Sequence, residues 1–296
     1  MILGPTASGK SDVAMALAAE RDDIEIVAVD AMQVYRGMNI GTAKPSLSDQ
    51  GAVPHHCIDL VEPSEMFTVG EFQRVARVAL AEIDTRGHTA VIVAGTGMYL
   101  TALIDGLTLP GEWPEIRREL EAVTDIELLH GRLGELDPDA AAKIQPANQR
   151  RIVRALEVCL GSGRPFSSFG PGTSAYPRID TPQIGLRWSR ELLSTRVEQR
   201  VHRMIDAGLE AEVRALLDCP GGLSRTARQA LGYREFIAAC EGSCSMDEAV
   251  AQTVLHTRQF AVRQERWFRR DPRVRWVDIT ADPVAEVLPV VRQYLA

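Results

Sequence analysis

Lysine is scarce in this chain: of 33 basic residues, only positions 10, 44 and 143 are lysine, and the other 30 are arginine. A GC-rich codon bias accounts for such an excess as readily as function does, so the placement of each arginine says more than the total. Aromatic residues are only 5% of the sequence. No apolar run approaches the roughly 18 residues that span a bilayer. The N-terminus carries no charged stretch followed by an apolar segment, so no secretory leader is visible. Five cysteines, odd in number and irregularly spaced, make no disulfide framework. Together these absences predict a protein of the reducing cytoplasm that does not contact a membrane. The net charge of −7 argues mildly against a small basic nucleic-acid binder.

With 296 residues, 45% hydrophobic and 25% charged, the chain can bury a full core as one large domain or two smaller ones. The strongest local signal comes first. Gly4-Pro5-Thr6-Ala7-Ser8-Gly9-Lys10-Ser11 fits the spacing G-x-x-x-x-G-K-[ST]. Met1-Ile2-Leu3 reads as the end of a strand, and Val13, Ala14, Leu17 and Ala18 fall at helical spacing after the loop. Strand, glycine-rich loop and helix form the context of a phosphate-binding loop. Its backbone N–H groups converge on phosphate oxygens, and the helix N-terminus adds partial positive charge. Lys10 is then a contact to terminal phosphates and Ser11 a Mg²⁺ ligand. Such a loop is also the signature of nucleotide (ATP) binding.

Glu25-Ile26-Val27-Ala28-Val29-Asp30 reads as a buried parallel strand ending in a carboxylate. Ligands of open α/β sheets lie at the carboxyl ends of strands, which places Asp30 near the phosphate as a metal ligand or general base. Residues 31–45 read as a functional loop. His55 to Leu60 reads as a further short strand, and its His-His-Cys cluster lacks the second ligand pair that zinc requires. Thr68-Val69-Gly70-Glu71 is a capping box opening a helix that Gly87 closes. Thr89 to Ala94 is the clearest strand, and Thr96 in the glycine turn after it is a candidate phosphate contact.

From Pro110 the pattern becomes helical, and residues 111–145 carry nine acidic and four basic groups. This stretch is too long for a simple connection and predicts a helical insertion. Arg150, Arg151 and Arg154 share a helix face opposite Ile152, Val153 and Leu156. Gly161 to Pro182 reads as a linker, and Gln183 to Trp188 as the last strand of the core. Residues 258–275 hold seven arginines against Glu265 and Asp271. Their arginine face either binds nucleic-acid phosphates or pairs with the chain's own acids. Cys240 and Cys244, without a partner pair, read as structural or incidental.

In order along the chain, GPTASGKS, VDAMQVYRGMNIGTAKP, HHCIDL, AGTGMYL, RALEV, EVRALL, ALGYRE and TRQFAVRQERWFRRD resemble the bacterial tRNA dimethylallyltransferases, also called tRNA isopentenyltransferases. The resemblance runs from residue 4 to about residue 276. It implies an α/β fold: a P-loop NTPase-like core with a parallel sheet flanked by helices (1–110 and 176–296), plus a small all-helical insertion domain (111–175) that contacts the anticodon stem-loop. It implies transfer of a dimethylallyl group from dimethylallyl diphosphate to N6 of adenosine 37 in tRNA, with Mg²⁺ as cofactor. By the same resemblance, the residues of the loop Gly4 to Ser11 hold the donor's diphosphate rather than ATP. Asp30 is the general base, and Thr96 and Arg214 lie beside the diphosphate with Lys10. The tRNA contacts are Asp30, Ala31, Met32 and Gln33; Arg117; Arg150, Arg151, Ile152, Val153 and Arg154; and Ala230, Leu231, Gly232, Tyr233, Arg234 and Glu235. A monomer is the default expectation. Two other readings stay open from the residues alone: a P-loop small-molecule kinase, and a non-catalytic RNA-binding module built on the arginine faces.

Overall fold

The structure is a computed structural model that describes residues 1–295. The chain divides into two compact units, Met1–Ile104 with Arg178–Ala296, and Asp105–Pro177. The expected boundaries were 110/111 and 175/176.

The first unit begins with β1 (Ile2–Leu3), α1 (Lys10–Ala18), β2 (Ile24–Val29), α2 (Leu47–Ala52), β3 (His55–His56), α3 (Val69–Thr85), β4 (Thr89–Ala94) and α4 (Gly97–Ile104). The second unit holds α5 (Pro114–Glu121), α6 (Ile126–Leu136), α7 (Pro138–Lys143) and α8 (Gln149–Ser162). The chain then completes the first unit with β5 (Gln183–Trp188), α9 (Arg190–Asp206), α10 (Leu209–Leu217), α11 (Tyr233–Cys240), α12 (Met246–Phe268), β6 (Val274–Ile279) and α13 (Pro283–Arg292).

All six strands form one parallel sheet in the order β3-β2-β4-β1-β5-β6. A parallel sheet is stable only with both faces covered, and alternation along the strands achieves this. Val27 and Val29 of β2 join one apolar cluster with Phe72 and Ile83 of α3. Ile24 and Ile26 join the other with Leu17 of α1 and Val287 of α13. Because β2, β4 and β1 are neighbours, the loops that follow Val29, Ala94 and Leu3 leave the sheet side by side, at the edge where ligands bind.

Local signals set the helices. Thr68 and Glu71 form the expected capping box at α3, and Ser245 and Glu248 a second one at α12. Two strand expectations are corrected. β5 is not the last strand, because β6 pairs with it along its whole length at the sheet edge. His55 to Leu60 is a strand only at His55–His56, since Cys57 and Asp59 take positive φ values of 65° and 51° that no strand tolerates. The stretch read as a linker contains two short 3₁₀ turns, Phe166–Phe169 and Gly172–Ser174, within the second unit.

The second unit has its own core, built from Leu120, Leu129, Leu133, Ile152, Val153 and Leu156. At the centre of its polar organisation stands Glu157, which is fully buried. It accepts the Trp113 N–H at 2.8 Å and faces Arg117 Nε at 3.0 Å and Arg154 Nη1 at 3.1 Å. Arg154 also donates to the carbonyls of Pro110 and Gly111. A buried carboxylate persists only when paired and hydrogen-bonded in this way.

Candidate active site

The phosphate loop is held open by positive φ at Gly4 (153°), Ala7 (61°) and Gly9 (94°). The left-handed Gly9 caps α1, and a Cβ there would overlap the Pro283 ring. Three of the loop's carbonyls meet fixed donors. Lys10 Nζ donates to Pro5 O at 2.7 Å, Arg196 Nε to Ala7 O at 2.8 Å and Trp188 Nε1 to Ser8 O at 3.0 Å. Of the loop's own N–H groups, Gly4 donates to Ala94 O, Thr6 to Gln264 Oε1 and Ser8 to Pro5 O, so the donors that favour an anion are those that open α1 at Lys10 and Ser11.

Asp30 follows β2 directly and is half-buried. Its Oδ1 accepts from the N–H groups of Met32 (2.8 Å) and Gln33 (3.3 Å), which fixes the carboxylate's orientation. Its Oδ2 points toward the turn after β4. A methyl group placed on Gly95 would lie 3.7 Å from that oxygen, 4.0 Å from Lys10 Cε and 3.3 Å from Gln264 Nε2. Three side chains from three elements therefore converge on one spot beside the loop. Thr96 closes the group: its Oγ1 accepts the Ala31 N–H at 3.1 Å.

The electrostatics favour an anion. Lys10 is pulled down to about 7, first by desolvation and then by the nearby Arg200 charge, with Asp30 and Asp12 opposing. Arg200 is likewise lowered from its ordinary value by burial, opposed by Asp30 and Asp12. Two partly desolvated cations beside the N–H groups that open α1 form a site that a diphosphate or triphosphate would stabilise. For Mg²⁺, the Ser11 hydroxyl is exposed at the start of α1, with the carboxylates of Asp12 and Asp30 nearby. These hard oxygen donors suit Mg²⁺, which keeps several waters and binds substrate phosphates rather than a full protein cage. The described residues contain no group of three or more His, Cys, Asp or Glu side chains that could hold a metal ion.

Several expected site residues lie elsewhere. Arg214, on α10, is exposed and paired with Glu210 at 2.8 Å, with the Asp218 carboxylate as a further neighbour. The arginine beside Lys10 is Arg200, one turn of α9 beyond Arg196. Sequence reasoning missed both, although Arg196, Arg200 and Arg203 recur at helical spacing behind Ser189, the N-cap of α9. Arg117 and Arg154 turn inward onto Glu157. Ile152 and Val153 are core residues. That leaves Arg150 and Arg151 as the exposed pair of their segment. Ala230, Gly232, Tyr233 and Glu235 are also buried, so Arg234 and part of Leu231 are what that segment shows to solvent. Tyr233 instead donates from its hydroxyl to Glu212 at 2.6 Å. The same carboxylate accepts the Asn39, Ile40 and Gly41 N–H groups and so fixes the loop after β2.

The arginines of α12 and of the turn after it divide. Arg258 pairs with Glu198 and Arg269 with Glu265, while Arg270 lies over the Trp267 ring at 4.3 Å. Phe268 is buried, and Phe260 and Trp267 are half-buried. Cys240 and Cys244 are half-buried against the larger apolar cluster, and the described cysteines are all free thiols. No helix among the described residues is long and apolar enough to cross a membrane.

Comparison with known proteins supplies what geometry alone does not. The profile of the family described as IPP transferase matches residues 33–271, and that described as isopentenyl transferase matches residues 1–52. A tRNA dimethylallyltransferase of Kineococcus radiotolerans is 47% identical over 98% of this chain and 96% of its own length. That of Streptomyces avermitilis is 45% identical over 97% and 92%. Among solved structures, the tRNA isopentenylpyrophosphate transferase of Bacillus halodurans aligns over 99% of this chain and 94% of its own, with a TM-score of 0.72 and 35% identity. A eukaryotic dimethylallyltransferase acting on tRNA covers 100% and 77%, with a TM-score of 0.82 and 25% identity. The phosphate loop, the strand-end aspartate and these full-length matches agree, and the chain belongs to the tRNA dimethylallyltransferase (IPP transferase) family.

Proposed function

We propose that this protein transfers the dimethylallyl group of dimethylallyl diphosphate to N6 of adenosine 37 in tRNA, releasing diphosphate. The observation that carries the reading is the convergence of Asp30 Oδ2 and Lys10 on the Gly95–Thr96 turn, beside a phosphate loop where the Lys10 and Arg200 cations meet. A kinase needs the same phosphate loop, but the family relatives named above favour prenyl transfer.

In this reading the N–H groups that open α1, Lys10 and Arg200 hold the diphosphate and stabilise it as the allylic C–O bond breaks. Ser11 would help to hold Mg²⁺, which when bound would supply further charge neutralisation. The N6 amine is a poor nucleophile, so its placement matters most. Asp30 Oδ1 is already committed to backbone, which leaves Oδ2 to accept the amine proton as the N6–C bond forms. Thr96 holds the backbone of Ala31 and thereby the start of the loop that carries Met32 and Gln33. Adenosine 37 must leave its stack to reach this site. Exposed Arg150, Arg151 and Arg234 meet the phosphates of the anticodon stem-loop, with the arginine face of α12 as a further contact. The protein acts as a monomer in the cytoplasm.

Single-turnover assays of Asp30→Asn test the role of the base. The expected result is a loss of about 10²- to 10⁴-fold in rate, with tRNA affinity kept within a few-fold. An unchanged rate would remove Asp30 from the chemistry and favour a module that only binds RNA.

A further inference from the structure

Gln264 lies in the arginine-rich stretch of α12 and is 6% exposed. A buried primary amide needs a donor for its oxygen and an acceptor for its nitrogen. Gln264 finds them on two different loops. Its Oε1 accepts the Thr6 N–H at 2.8 Å, in the phosphate loop after β1. Its Nε2 donates to Gly95 O at 2.8 Å, in the turn after β4. A long backbone bond, Gly4 N–H to Ala94 O at 3.4 Å, also runs between the two segments. The amide also borders the space that Asp30 Oδ2 and Lys10 share at Gly95.

Thr6 N–H is thus committed to a side chain and not to a ligand. We propose that Gln264 is a positioning residue for the phosphate loop: by tying Thr6 to Gly95 it sets the distance between the loop that grips the diphosphate and the turn that carries Thr96. This rests on the prenyl-transfer reading above, in which the loop holds the donor's diphosphate. Gln264 touches no substrate in this role; it acts through the Thr6 and Gly95 backbone. Loss of either bond lets the loop and the turn drift apart, and the prenyl donor rather than the tRNA suffers.

The test uses the full chain with tRNA, Mg²⁺ and dimethylallyl diphosphate, comparing wild type with Gln264→Glu and Gln264→Leu across pH. An ionised glutamate cannot donate to Gly95 O, whereas a protonated one restores both bonds. At about pH 8 both variants should raise KM for the prenyl donor by about ten- to a hundredfold. On lowering the pH toward about 5.5, Gln264→Glu should recover toward wild type while Gln264→Leu does not. KM for tRNA should stay within about twofold.

Because loss of a buried amide can disturb folding, Tm and the Kd for inorganic diphosphate are measured on the same preparations. Gln264→Asn, one methylene too short to span both loops, should show the same selective loss of donor affinity. The proposal is overturned if the Glu and Leu variants behave alike at every pH, if donor KM is unchanged, or if donor and tRNA binding fall together. A wild-type protein that forms no prenylated tRNA would instead contradict the functional reading itself.

Discussion

Replacing Glu25 by glutamine should destabilise the protein strongly while leaving its chemistry intact. Glu25 is the second residue of β2 and is 3% exposed. Its carboxylate takes two bonds from Arg86, both at 2.8 Å, and faces His56 Nε2 at 2.5 Å and His88 Nδ1 at 2.8 Å. The Arg86 bonds, with help from the two histidines, hold its pKa down at about 2, against the desolvation that would raise it. A fall of that size from an unfolded value near 4.5 corresponds to about 3 kcal/mol of stability. The sign follows from the depressed folded pKa. The contribution is complete above about pH 4.5 and disappears as the pH falls toward 2. Urea unfolding of wild type and Glu25→Gln should therefore differ by about 3 kcal/mol at neutral pH, and the gap should shrink progressively in acid. Asp30 lies five residues further along, about 16 Å away in an extended strand, so kcat at a permissive temperature should change by less than about twofold. A gap below about 1 kcal/mol, or one that does not change between neutral pH and pH 3, would refute the reasoning.

Three further outcomes follow from the geometry. Arg200→Ala should raise the KM for dimethylallyl diphosphate by about tenfold or more, whereas Arg214→Ala, which loses only an exposed pair with Glu210, should change it by less than about threefold in the same steady-state assay. Gly161→Ala should lower Tm clearly, because its Cβ would overlap the Trp113 ring within the second unit; differential scanning calorimetry reads this, and an unchanged Tm would contradict it. Reversing the charge of the exposed pair (Arg150→Glu with Arg151→Glu) should weaken tRNA binding and flatten its salt dependence by about two units of slope, measured by filter binding from low to moderate salt.

What the sequence made legible was local. The glycine spacing of residues 4–11, the capping box at Thr68 and Glu71, and the uninterrupted apolar run before Asp30 each encode their structure within a few residues. β6 escaped because an edge strand half open to solvent carries Arg275 and Asp278 among its apolar residues and so lacks a buried strand's continuous pattern. His55 to Leu60 looked like a strand from its composition, but two residues there turn into the left-handed region. The inward turn of Arg117 and Arg154 was hidden for a different reason. Only tertiary packing reveals that Glu157, about 60° round the helix from Arg154, is fully buried and must be neutralised. Arg200 and Gln264 were illegible for the same cause: each belongs to a distant helix that reaches the phosphate loop only in the folded chain.

The central claim is the identity of the group transferred. Purified protein with Mg²⁺ and unmodified tRNA would receive either dimethylallyl diphosphate or ATP, followed by nucleoside mass analysis and an assay of ATP consumption. The account predicts a dimethylallyl mass gain on adenosine with the prenyl donor alone. Steady ATP turnover without that gain would contradict it and restore the kinase reading.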